Sequence, residues 1–309
     1  MNKWLTGAMS ACWIAITISA AAVPAQAPKS FDSPQQAYEA LIAAADRFDM
    51  NAFQDIFGPG HERIYSSGEE PRDRERAANF VAQARKGNAV SLDTSDPKRA
   101  YIVVGPDKWP FPVPIVASKD GRWSFDAKEG EQEILRRRIG ENELDAIGIC
   151  RGYVEAQHAY ALQARSGYEV PQYAQRIIST PGTHDGLAWK NPDGTWGGPV
   201  GEKIAHAIQQ GYTNKAQPYH GYFFKILKGQ GPSAPLGALD FVVKGVMIGG
   251  FALVAAPAQY GVTGIKTFMV SHDGVVYQRD FGPESLATFQ KMERFDPDSH
   301  WSAVLDETD

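Results

Sequence analysis

Cysteine is nearly missing from this chain. Among 309 residues only Cys12 and Cys150 occur, too few for a disulfide framework. Cys12 lies in the N-terminal apolar run, so a chain without that run has no intramolecular disulfide and depends on packing alone. Basic clusters are lacking too: 31 Lys and Arg face 36 Asp and Glu, a formal net charge of −5. That balance excludes the electrostatic footprint of a nucleic-acid or anionic-lipid binder. No serine sits in a Gly-x-Ser-x-Gly elbow, and neither a phosphate-binding loop nor zinc-type spacing occurs, so no metal and no cofactor is expected. Beyond the N-terminus no apolar run is long enough to cross a membrane.

What the chain does have begins at its start. Lys3 precedes an apolar run from Trp4 to Val23, which ends in the small residues Ala20-Ala21-Ala22-Val23-Pro24-Ala25. This is the order of a secretory signal peptide over residues 1–25, with cleavage expected after Ala25 and delivery to the periplasm. An uncleaved anchor and a lipidated Cys12 (Met9-Ser10-Ala11-Cys12 loosely resembles a lipoprotein box) are the alternatives.

The remaining chain reads as an α+β protein of two domains, each with helices packed on a mainly antiparallel sheet. Ser33-Pro34-Gln35-Gln36 is a helix start, with Ser as N-cap, Pro at the first position and Gln closing a capping box. Ala37, Leu41, Ala44 and Phe48 follow on one face. Further helices are expected over Met50–Phe57 and Pro71–Lys86. Strands follow at Ala89–Leu92, Tyr101–Gly105, Val113–Ala117 and Arg122–Phe125, with Asp120-Gly121 as a hairpin turn. These make a first domain over 31–127. A charged connecting helix spans 128–140 and gives way at Gly140 to a longer one, Glu141–Ala164, whose apolar stripe runs through Leu144, Ile147, Cys150, Val154 and Ala161. The second domain, 141–309, then turns to strands at Tyr219–Lys228, Leu239–Val243, Met247–Ala256, Thr263–Ser271 and Val275–Arg279. A helix over Pro283–Arg294 closes it, and Thr180–Pro199 and Lys228–Gly237 read as long surface loops.

Ala45-Asp46-Arg47-Phe48-Asp49, then Phe53, Ile56-Phe57 and Gly121-Arg122-Trp123-Ser124-Phe125, resemble the NTF2-like (cystatin-like) superfamily, whose cone-shaped pocket in some members binds small molecules or catalyses. Ala146-Ile147 through Tyr153, Ala156-Gln157 and Tyr160, with Gly221-Tyr222-Phe223-Phe224 and Gly261 through Phe268, resemble the globular head of type IV pilins. A pilin carries this helix directly after its hydrophobic spine, whereas here a whole domain intervenes, so only head-like packing carries over. Phe31-Asp32-Ser33-Pro34, Trp109-Pro110-Phe111-Pro112-Val113-Pro114, Arg138-Ile139-Gly140-Glu141-Asn142-Glu143-Leu144, Ile178-Ser179-Thr180-Pro181-Gly182 and Pro218-Tyr219-His220-Gly221-Tyr222-Phe223 together resemble a family of exported bacterial proteins known as domain of unknown function 2950. That resemblance implies location and fold context without an activity.

Candidate chemistry is sparse. His184-Asp185-Gly186 reads as a general base with an orienting carboxylate, or as a turn, and Trp189 and Trp196 lie close enough in sequence to wall a pocket. Tyr219-His220-Gly221-Tyr222 opens a strand whose alternation places His220 and Tyr222 on one face. A second histidine facing His220 across a cleft makes a metal site; a hydrogen-bonded strand end is the plainer reading. Glu155-x-x-His158 has half the spacing of a di-iron site, but His158 falls in the apolar stripe and reads as a packed core histidine. Cys150, in the same stripe, reads as an inert thiol. The alternating prolines around Trp109 and Phe111 enforce an extended backbone, either a docking ridge or a rigid lid on the first core. The expectation is a non-enzymatic envelope protein that binds a partner, another envelope protein or an extended polymer. The alternative is a periplasmic hydrolase or small-ligand binder using His184 and Asp185. Oligomeric state has no signature in the sequence.

Overall fold

A computed structural model of the protein describes residues 27–162, 170–201 and 218–305. The expected signal peptide lies outside them. Contacts group the chain into two compact units that divide between Glu131 and Gln132, and each has its own core.

In the first unit Ser33 caps α1 (Pro34–Arg47), its Oγ accepting from the Gln36 N–H at 3.2 Å. Gln36 reaches back one residue further than a capping box requires, accepting from the Asp32 N–H at 3.1 Å. Asp49 caps α2 (Met50–Phe57), and α3 (Glu70–Lys86) follows. β1 (Asn88–Leu92), β2 (Arg99–Val104), β4 (Ile115–Ala117) and β5 (Trp123–Phe125) form an antiparallel sheet in that order, with β3 (Trp109–Pro110) added to β2. Along β2 the alternation is clean: Ala100, Ile102 and Val104 are buried and Tyr101 is exposed. Phe53, Phe57, Tyr65 and Phe125 stack into one aromatic cluster with centroids 5.1–6.4 Å apart.

Asp73 fastens the turn before α3. Its buried carboxylate accepts from the Ser67 N–H at 2.8 Å and from the hydroxyls of Ser67 at 2.7 Å and Ser66 at 3.1 Å. Burial alone raises a carboxyl pKa, but here the bonds from Ser67 and Ser66 outweigh it and hold the pKa below its ordinary value. A carboxylate with a depressed folded-state pKa adds stability above its unfolded pKa and loses it as pH falls through the folded value. We therefore expect Asp73→Asn to destabilise the protein by about 2 kcal/mol at neutral pH. In urea unfolding followed against pH, the gap to wild type should close below about pH 4.

α4 (Ala127–Ala161) is one continuous helix, which corrects the expected break at Gly140. A glycine inside a helix costs about 1 kcal/mol relative to alanine but breaks nothing without a proline or a left-handed cap, and Gly140 is not among the left-handed residues. In the second unit its buried positions are Ile139, Ala146, Cys150, Tyr153, Val154, Ala156, Gln157 and Tyr160. The expected stripe was thus rotated: Leu144 is 68% exposed and His158 is exposed.

β9 (Tyr222–Leu227), β14 (Ala252–Pro257), β15 (Lys266–Ser271), β16 (Val276–Asp280) and β17 (Ser302–Ala303) form an antiparallel sheet in the order β17-β16-β15-β14-β9. Between β9 and β14, β10 (Gly229–Gln230) pairs with β11 (Leu239–Asp240) and β12 (Val242–Val243) with β13 (Val246–Met247). Every residue of β14 is buried, the signature of a strand covered on both faces. The last helix, Ser285–Lys291, is capped by Lys225, whose Nζ donates to the Phe289 carbonyl at 2.6 Å and the Gln290 carbonyl at 3.2 Å. The stretch read as a surface loop, Thr180–Pro199, instead holds β7 (Gly186–Lys190), which pairs in parallel with β6 (Arg176–Ile178) and antiparallel with β8 (Trp196–Gly197). Leu187 and Ala188 are fully buried there; five residues of strand were hidden among the turn formers on either side.

Candidate functional site

Along α4, Asp145, Gly148, Gly152 and Glu155 recur at intervals of three, four and three, which places them on one helix face. They floor a groove of about 440 Å³ in the second unit, walled by Leu187, Pro199, Val200 and Tyr219, with His220 at one end. That volume lies within the usual range for ligand sites.

The two glycines are the telling part of the floor. A side-chain carbon added at either Gly148 or Gly152 would meet nothing within 4 Å. Packing therefore does not require glycine there, and each forgoes helix stability that alanine would supply. We expect Gly148→Ala and Gly152→Ala each to raise the unfolding free energy by about 0.5–1 kcal/mol, read from denaturant melts.

His220 is placed differently from the alternation expected of a strand. Tyr219 and Tyr222 exchange both backbone hydrogen bonds, at 3.0 and 2.9 Å, so His220 and Gly221 are the two central residues of a tight turn. Both have positive φ, 45° and 74°, the requirement of a type I′ turn, in which Asn-Gly is the favoured pair. Gly221 has no room for a side chain, since a carbon added there would lie 2.7 Å from Asn142 Nδ2 and 2.8 Å from Thr263 Cβ. His220 carries strain that asparagine would relieve, and its ring nitrogen Nδ1 bonds the Asp145 carboxylate. α4 holds the surrounding loop as well: Glu143 accepts from the Ile265 and Lys266 N–H groups at 2.8 and 3.0 Å, and Asn142 donates to the Thr263 carbonyl at 2.8 Å.

The other sequence candidates go elsewhere. The Asp185 carboxylate is taken up by the Thr180 N–H at 2.7 Å and by the hydroxyls of Thr180 and Thr183 at 2.8 and 2.9 Å, with Arg176 at 3.5 Å. Those hydrogen bonds and the Arg176 charge hold its pKa below the ordinary carboxyl value against the opposing effect of burial. His184 stacks on Trp189, centroids 4.4 Å apart; neither His184 nor Asp185 lines the groove that His220 lines. His158 meets Phe251 edge-on at 5.5 Å. Cys150 is fully buried and its thiol is pushed up to about 12 by that burial, the state of an inert packed cysteine. Among the described residues no group of three His, Cys, Asp or Glu is arranged to hold a metal. In the first unit Trp109 is 47% exposed, while Phe111 packs against the core and Phe125. A second cavity there, about 470 Å³, is lined by Phe57, His61, Val116, Phe125 and Lys128. His61 Nδ1 stands 3.1 Å from Glu131 but is not aligned for a hydrogen bond.

Sequence reasoning missed Asp145, Gly148 and Gly152. Their signal was present as two glycines one turn apart inside a helix, each flanked by a carboxylate three residues away.

A model of a protein family described as protein of unknown function (DUF2950) matches residues 28–304. Comparison with curated proteins and with solved structures finds no match.

Proposed function

The chain belongs to the DUF2950 family, and from the α4 groove we propose that it is a non-enzymatic binding protein of the cell envelope that receives its ligand there. The observation carrying this reading is the pair of glycines, Gly148 and Gly152, left open on the groove floor where alanine would make the helix more stable. Stability forgone at a concave, partly apolar surface is what close approach of a ligand to the helix backbone requires. The N-terminal order of Lys3, the apolar run to Val23 and the small residues to Ala25 supports export. N-terminal sequencing of the protein from a periplasmic extract should begin at Gln26.

A photoreactive amino acid at the exposed Leu144, which lines the groove, tests the binding reading in cells. One reproducible adduct that disappears when Gly148→Trp fills the floor supports it. No adduct, or one indifferent to Gly148→Trp, counts against it.

The His220–Asp145 pair favours a second reading, a hydrolase in which a carboxylate orients an imidazole base. This moves the acid–base proposal from His184 and Asp185 to His220 and Asp145. It requires a turnover that His220→Asn abolishes while the turn stays folded.

A further inference from the structure

Resting on that binding reading, we propose that the groove takes an extended segment of a partner protein in which apolar residues are flanked by Lys or Arg. The groups at its ends accept hydrogen bonds. Asp145 and Glu155 are carboxylates, and the His220 ring, held to Asp145 through Nδ1, stands beside the first of them. No Lys or Arg lines the groove among the described residues, so a cationic occupant complements the charge of its carboxylates. The half-buried Tyr219 lines it as well, and an aromatic ring is a partner for an ammonium or guanidinium group. The middle is apolar, formed by Ile149, Leu187, Pro199 and Val200 over the two glycines.

Length selects a chain over a compact ligand. Asp145 and Glu155 are ten residues apart on one helix, about 15 Å, which an extended segment of about four or five residues spans. The open glycines let the backbone of such a segment lie against α4, while its basic ends reach the two carboxylates.

The test is selection of a displayed random heptapeptide library on the purified protein, with counter-selection on Gly148→Trp. The expected result is a set of sequences with Lys or Arg on both sides of two or three apolar residues. Their affinity should fall about tenfold in Glu155→Gln and weaken as salt is raised. His220→Asn, which suits the turn, should weaken them without lowering the melting temperature. Enriched sequences that are acidic or carry no basic residues, yet are lost on Gly148→Trp, overturn the ligand class and leave the groove a binding site. A library that yields nothing sensitive to Gly148→Trp overturns the class too, and the in-cell adduct then decides the binding reading separately. An adduct from Leu144 to residues 202–217 of the same chain would overturn both.

Discussion

Replacing Gln157 by Leu, an apolar residue of similar size in a core position, should destabilise the second unit by about 3 kcal/mol and lower its melting transition by about 9 °C. The side chain is fully buried, yet its hydrogen-bonding groups are used. Its Oε1 accepts from the Ala174 N–H at 2.8 Å, and its Nε2 donates to the Ala174 carbonyl at 2.8 Å and the Tyr153 hydroxyl at 2.9 Å. The amide thus pairs with the backbone of Ala174 as a neighbouring strand would. Leucine would leave a buried N–H and a buried carbonyl with nothing to replace those bonds, and each orphaned group costs about 1–3 kcal/mol. The gain from burying a leucine offsets only part of that. Thermal or urea melts of Gln157→Leu against wild type check it; an unchanged or raised stability would mean that water reaches Ala174.

Phe251→Ala should cost about 4 kcal/mol. The ring is fully buried and is the hub of a cluster in which Tyr173, His158, Tyr153 and His272 meet it edge-on, at 4.8, 5.5, 5.6 and 6.3 Å. Edge-to-face pairs add to the area they bury, and four converge on one side chain. Because the neighbours lie on α4, on β15's end and on the segment before β6, they cannot collapse together into the vacated space. Chemical denaturation measures the loss. Phe251→Leu should recover more than half of it, since most of the volume returns.

Both predictions fall on residues that single-sequence reading passed over. The apolar stripe expected through Leu144, Ile147, Cys150, Val154 and Ala161 rests on hydrophobicity and includes the buried Cys150 and Val154, but a glutamine has no place in such a stripe. The real buried face is centred on Cys150, Tyr153, Gln157 and Tyr160, because a buried amide is tolerated wherever the fold brings backbone groups to meet it. His158 fell on the drawn stripe and is exposed. His184 and Asp185, adjacent in sequence, have different partners in the fold: the His184 ring stacks on Trp189 and the Asp185 carboxylate accepts from the donors of its own turn.

The α+β class, the Ser33 helix cap, the hairpin at Gly121 and the family were legible in the amino-acid order alone. These depend on local periodicity, on the backbone freedom of turn residues and on motif order, all of which are written along the chain. It took the folded chain to show that α4 is unbroken, that β7 lies within an apparent loop, and that Asp145 meets His220, 75 positions further along the chain. These outcomes depend on which surfaces a residue meets, and contacts between distant segments have no local pattern to announce them.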